Sequence, residues 1–263
     1  YDGSEFTLFS LDGDEDATKY SINCIYLTSD EKLYVGTDNY GLYMYDNGTF
    51  QRVSEMYNLG VSTINAMYED DNKNLWIAAS SGIFRLSSDG AEALADDVVS
   101  GLSVGNISGH GDYVYAIANN DILITVDPER HVSITNKSEY RVDDINSLYV
   151  DENGNRYYGS AGYSILKIGT DGKNEIINTG NLHGINKIYS DGDNIWALAD
   201  DGVGYISSKG NVTAIGGLSF NESMSDMIID FEGNYWFTSY RKGILQLERS
   251  KFQNVTMKYG IDS

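Results

Sequence analysis

Ile64-Asn65-Ala66-Met67-Tyr68-Glu69, then Asp70-Asp71-Asn72-Lys73-Asn74, then Leu75-Trp76-Ile77-Ala78-Ala79, is two short apolar runs held apart by five polar residues. Runs this short, rich in aromatic and β-branched residues and bounded by Asp, Asn and Gly, read as strands joined by a tight turn. Downstream, Ile83–Leu86 predicts a third strand. Ser88-Asp89-Gly90 supplies a turn that tolerates positive φ, and Ala91–Ala95 predicts a fourth strand despite its helical propensity. Upstream, Ile22–Leu27, Leu33–Thr37 and Leu42–Tyr45 predict the same arrangement, followed by Asp46-Asn47-Gly48.

The four-strand pattern recurs. Ile22, Ile64, Val104, Ile145, Ile185 and Met224 form an aliphatic or Met column at steps of 39–42 residues. Eleven or twelve residues later stands an aromatic column, Tyr34, Trp76, Tyr115, Tyr157, Trp196 and Trp236, which takes up all 3 tryptophans of the chain. A glycine follows in five units, at Gly41, Gly82, Gly162, Gly202 and Gly243. Six units of about forty residues predict an all-β protein, a β-propeller of four-stranded blades, rather than a solenoid, whose units are shorter and poorer in strand. Tyr1–Phe6 parallels Tyr45–Phe50, so residues 1–10 read as an extra N-terminal fourth strand, and Lys251–Tyr259 reads as another. Six blades with one redundant strand, or an incomplete seven-bladed ring cut from a longer receptor, both fit a single propeller domain over 1–263.

The second unit, with Ile64-Asn65, Asn74-Leu75-Trp76 and Gly82-Ile83-Phe84-Arg85-Leu86, resembles the two-component regulator propeller repeat; the first echoes it with Ile22-Asn23 and Gly41-Leu42-Tyr43. The third departs most, with Gly105 in place of the Asn. The resemblance implies the extracytoplasmic sensor region of a bacterial membrane-bound histidine kinase or diguanylate cyclase. The transmembrane segment and output domain would then lie outside this chain, and no catalysis within it.

Charge narrows the partners. With 18 Lys+Arg against 39 Asp+Glu the net charge is −21, which repels nucleic acid and anionic membrane surfaces. A single cysteine, Cys24, excludes an internal disulfide and a zinc site built on several thiolates. Alternating carboxylates at Asp12-Gly13-Asp14-Glu15-Asp16 lack the downstream bidentate Glu of a calcium loop, so no metal and no cofactor is expected. His110, His131 and His183 fall at three different phases of the repeat, which argues against a propeller lyase resembling streptogramin lyase, and no catalytic residue is assigned.

Two groups remain as binding candidates. Asn23, Asn65, Asn146 and Asn186 recur just after the aliphatic column and predict a polar ring at the channel mouth. The loops between second and third strands differ from unit to unit, and variable loops on a rigid scaffold are where binding concentrates. Asp38-Asn39-Tyr40, Asp200-Asp201 and Tyr240-Arg241-Lys242 are the expected ligand contacts. Their chemistry points to a small molecule, carbohydrate or anionic. A protein-interaction platform or homodimer without a small ligand is the alternative.

Overall fold

Each polar turn predicted above closes an antiparallel hairpin. The computed structural model describes residues 9–11, 19–94, 98–207, 210, 212–215, 222–239 and 241–247. Among them lie six sheets in which consecutive strands are hydrogen-bonded neighbours, five of four strands and a sixth of three. Blade 2 runs a (Ile64–Glu69), b (Leu75–Ala79), c (Gly82–Ser87), d (Gly90–Ala93). The Ala-rich segment is therefore strand as far as Ala93, because pairing with strand c outweighs its helical propensity, and Ala95 lies outside the described residues. Innermost strands begin at Ser21, Ile64, Val104, Ile145, Ile185 and Met224. The sixth blade comprises Met224–Ile229, Tyr235–Ser239 and Gly243–Leu247, and the fourth strand expected over Lys251–Tyr259 lies outside the described residues. Of the extra N-terminal strand, residues 1–8 also lie outside them, and Phe9 and Ser10 carry no strand.

Apolar clusters join each blade to the next, which makes the architecture a propeller. Tyr34 and Leu42 meet Ile64 and Met67, Trp76 meets Val104 and Ile107, and Trp196 meets Met224 and Met227. The aliphatic column thus packs on the preceding blade and the aromatic column on the following one. Among the described residues no such cluster joins blade 6 to blade 1. Ile25 is accordingly 64% exposed where its counterpart Met67 is 7%. Trp236, in the same column as the buried Trp76 and Trp196, is only half-buried for the same reason.

The Asn column has a backbone cause. In every blade the a–b pairing slips by one residue just after the aliphatic position, at Ile22/Cys24, Ile64/Ala66, Ile145/Ser147, Ile185/Lys187 and Met224/Asp226, and across Gly105 in blade 3. The skipped residue is a β-bulge, which re-aims a side chain out of the ladder. Asn23 and Asn65 use it to donate from Nδ2 to the carbonyls of Ile64 (3.1 Å) and Val104 (2.8 Å) on the next blade. Beside the bulges of blades 3 and 4, Asn106 donates to the Asn146 carbonyl (3.0 Å), and the Ser147 hydroxyl to that of Ile185 (2.8 Å).

Aspartate organises the opposite end. Asp70 accepts from the backbone N–H of Asn74 (2.9 Å) and from Trp76 Nε1 (2.8 Å), and Asp191 and Asp230 hold Trp196 and Trp236 alike, each at 2.8 Å. Asp151 does the same for Asn155 (2.8 Å) and the Tyr157 hydroxyl (3.3 Å). One carboxylate thereby shapes the turn and satisfies the polar tip of the buried aromatic.

Candidate ligand-binding face

Loops b–c and d–a meet on one face, tied by backbone hydrogen bonds such as Gly41 N–H to Ser62 O (2.6 Å), Ser80 N–H to Thr63 O (3.2 Å) and Gly184 N–H to Gly162 O (2.9 Å). The a–b turns lie on the other face, where Ser29 N–H donates to Glu69 (2.7 Å) and Lys73 Nζ to the Ser29 hydroxyl (2.7 Å). One face repeats a shared turn chemistry, and the other varies by unit.

On the variable face a cleft of about 510 Å³ opens beside the b–c loop of blade 4. Its walls include Lys137, Asp143, Asp144, Tyr163 and His183. Lys137 is paired with Asp144. The Tyr163 and His183 rings meet edge to face, centroids 4.9 Å apart, and Tyr163 is exposed at the rim. Asp143 approaches so closely that a Cβ on Gly162 would collide with its carboxylate, so this glycine makes room for the acid. The cleft offers both charge signs, an imidazole and an aromatic ring, enough to hold a polar small molecule by hydrogen bonds and stacking.

The expected ligand contacts are distributed around this face. Asp200 Oδ1 accepts from Asn186 Nδ2 (2.8 Å) and the Ser223 hydroxyl (3.2 Å), and Asp201 Oδ1 accepts from His183 N–H (2.9 Å). Asp201 therefore holds the d–a loop that carries the cleft histidine, and Asp200 links strand a of blade 5 to the loop before blade 6. Asp38 Oδ1 accepts from Thr63 Oγ1 (3.1 Å), and Asn39 takes φ 70°. Tyr40 is half-buried on Tyr20, centroids 4.8 Å apart, rather than presented to solvent. Arg241 and Lys242 are exposed, with Arg241 4.0 Å from Glu222, and Tyr240 lies outside the described residues. No hydrogen bond or ion pair among the described residues joins Asp38–Tyr40 to Arg241 or Lys242. In the Asn ring, Asn146 departs from the expectation: its Oδ1 accepts from Asn120 Nδ2 (3.3 Å), and Ser147 makes the link to blade 5 instead. Tyr163 escaped sequence reasoning although the signal was there, an aromatic off the repeat phase in a b–c loop, as at Tyr40.

Burial pushes the Cys24 thiol up to about 11, against a hydrogen bond with the Gly36 backbone and the Lys187 charge. Such a thiol is inert. His110 ends strand a of blade 3 and His131 lies in that blade's c–d turn, both on the a–b side, whereas His183 is on the cleft side. Asp127, Glu129 and His131 bring ligand atoms within 4.8 Å of one another, but Asp127 is already engaged by the His131 backbone (2.7 Å) and ring (3.0 Å). The acidic loop at Asp12–Asp16 lies outside the described residues.

Radial blades with one repetitive and one variable face define a six-bladed β-propeller. Residues 58–81 match the family described as two component regulator propeller, and the chain carries that repeat. Among solved structures, the extracellular domain of the one component system BT4673 from B. thetaiotaomicron is 18% identical with a TM-score of 0.75, over 95% of this chain and 34% of that one. The corresponding domain of the hybrid two component system BT3049 from the same organism is 16% identical with a TM-score of 0.73, over 91% and 34%. Virginiamycin B lyase from Staphylococcus aureus, crystallised with quinupristin, is 13% identical with a TM-score of 0.69, over 89% and 81%. At such identities the likeness is one of fold. This chain spans about a third of the length of the two B. thetaiotaomicron domains. No curated protein matches it. No helix among the described residues is long and apolar enough to cross a membrane.

Proposed function

We propose that this chain is a non-enzymatic, ligand-sensing propeller from the extracytoplasmic part of a bacterial signal-transduction receptor, tethered through a membrane segment outside it. The observation that carries the reading is the asymmetry of the two faces: a shared Asp-organised turn on one, a cleft walled by unit-specific loops on the other. The family repeat at residues 58–81 supports the signalling context. Ligand enters at the b–c and d–a loops, held by Tyr163, His183 and Lys137, with Arg241 and Lys242 as a second basic contact for an anionic group.

A thermal-shift screen of small polar molecules tests this, because a compound that binds the native state alone raises the unfolding midpoint by mass action. A stabilising compound should lose its effect in Tyr163→Ala and keep it in Asn153→Ala, on the opposite face. Stabilisation lost only in Asn153→Ala would place the site on the wrong face. A screen without any stabilising compound would favour a protein-interaction platform.

A further inference from the structure

A second pocket, independent of the cleft, lies between blades 2 and 3 on the side of their outer strands. In blade 2, Trp76 is paired with Arg85 across strands b and c, and Arg85 with Glu92 across c and d. The three side chains form a row across one face of the sheet. Arg130, from the c–d turn of blade 3, reaches back to the same acid. Glu92 Oε1 accepts from Arg85 Nη2 (2.9 Å) and from Arg130 Nη1 (2.7 Å). Around this pair opens a pocket of about 370 Å³ with Trp76 and Leu94 as its apolar wall and Glu129 at its edge.

Two features set the pocket apart from the repeat. The equivalent rows are uncharged in blade 1 (Tyr34–Met44–Gln51) and blade 5 (Trp196–Tyr205–Thr213), and blade 4 repeats the aromatic–base–acid order with a lysine (Tyr157–Lys167–Glu175), so it is the guanidinium that is specific to blade 2. Arg130 also adopts φ 69°, where the c–d turns of other blades place Gly48, Gly90, Gly172 and Gly210 at positive φ. A long side chain in the left-handed region is disfavoured, and glycine would serve the turn better. Glu31, Lys73 and Arg141 take positive φ elsewhere in the chain, and what distinguishes Arg130 is that its guanidinium reaches Glu92 of the neighbouring blade.

We infer that this pocket binds a small aromatic monocarboxylate, its carboxylate held between the guanidiniums of Arg85 and Arg130 and its ring set against Leu94 and the accessible edge of Trp76. A guanidinium is a fork of donors matched to carboxylate geometry, and Glu92 takes one N–H from each arginine while pre-orienting both. Glu92 and Glu129 balance the two arginines, so a monocarboxylate is held by the remaining guanidinium N–H donors and not by net charge, and a second negative charge finds no counterpart.

Benzoate is the probe, titrated into the whole chain by calorimetry and by tryptophan fluorescence at constant ionic strength. Benzamide is its uncharged counterpart and phthalate its dianion. Saturable benzoate binding is expected, with benzamide and phthalate each at least about tenfold weaker, the scale of one lost charge-assisted pair. Arg130→Gly should weaken benzoate at least about tenfold without lowering the thermal midpoint, since glycine relieves the backbone at that turn. Arg130→Lys should recover only part of the affinity, because an ammonium lacks the fork. Failure of benzoate to bind, equal binding of benzamide, or unchanged affinity in Arg130→Gly would each overturn the assignment. None of these outcomes bears on the cleft of blade 4.

Discussion

Trp76 Nε1 donates to Asp70 Oδ2 at 2.8 Å, six residues back across the a–b turn. Both residues are buried, so the tryptophan fills the gap to blade 3 without leaving its indole N–H unsatisfied. The geometry recurs at Asp191–Trp196 and Asp230–Trp236, and it couples the turn on one face of the propeller to the packing between blades.

Position in the series of blades sets what each tryptophan is worth. Trp76→Ala and Trp196→Ala should each cost about 3–5 kcal/mol, the usual loss for a large core aromatic. Trp236→Ala, half-buried, should cost only about 1–2 kcal/mol by the area it covers. Urea midpoints of the three variants check the order, and equal losses would contradict the packing described for blade 6.

Acid should loosen the a–b turns. The Trp236 indole N–H, with the backbone N–H groups of Asn234 and Glu232, holds the Asp230 carboxyl at about 2. For Asp191, burial pushes upward but is outweighed by hydrogen bonds from Trp196, the Asn194 backbone and Tyr235, and its carboxyl also lies low. A depressed folded value stabilises fully above the unfolded value near ~3.9, and that contribution is lost as pH falls towards ~2. Denaturation midpoints should therefore drop between about pH 4 and 2, and Asp230→Asn should flatten part of that fall.

Cys24 should be unreactive in the native protein. With its thiol raised to about 11, almost none is thiolate at neutral pH. A colorimetric thiol reagent should label it only after denaturant is added. Rapid native labelling would show that strand a of blade 1 opens readily.

Gly36 should not tolerate a side chain. An added Cβ would lie 2.6 Å from Cys24 Sγ and 2.7 Å from Ile64 Cγ2, between two blades. Gly36→Ala should cost about 1–3 kcal/mol, as overpacking does. Gly48→Ala makes the comparison, because nothing lies within 4 Å of its Cβ position and only the positive φ opposes it.

Periodic features were readable in the chain because the blade repeats one physical requirement. From blade 2 to blade 6 the Ile, Val or Met of the aliphatic column fills the gap to the preceding blade, and from blade 1 to blade 5 the Trp or Tyr fills the gap to the next. Their spacing alone located the starts of the innermost strands to within one residue. The Asn column was legible as a polar ring for the same reason, but its basis was not. A bulge is a slip in pairing between two strands, and nothing in Asn65 itself reports that its neighbour's partner has shifted. The variable face was legible in outline, from loops that break the repeat. Its cleft required three segments distant in sequence, Lys137, Tyr163 and His183, to converge, and convergence depends on how blade 4 packs against blade 5. The Arg85–Glu92–Arg130 bridge likewise joins two blades through a turn whose backbone the sequence left unspecified. Repetition is local and accumulates along the chain, whereas a site in a propeller is made between units, where no periodicity can announce it.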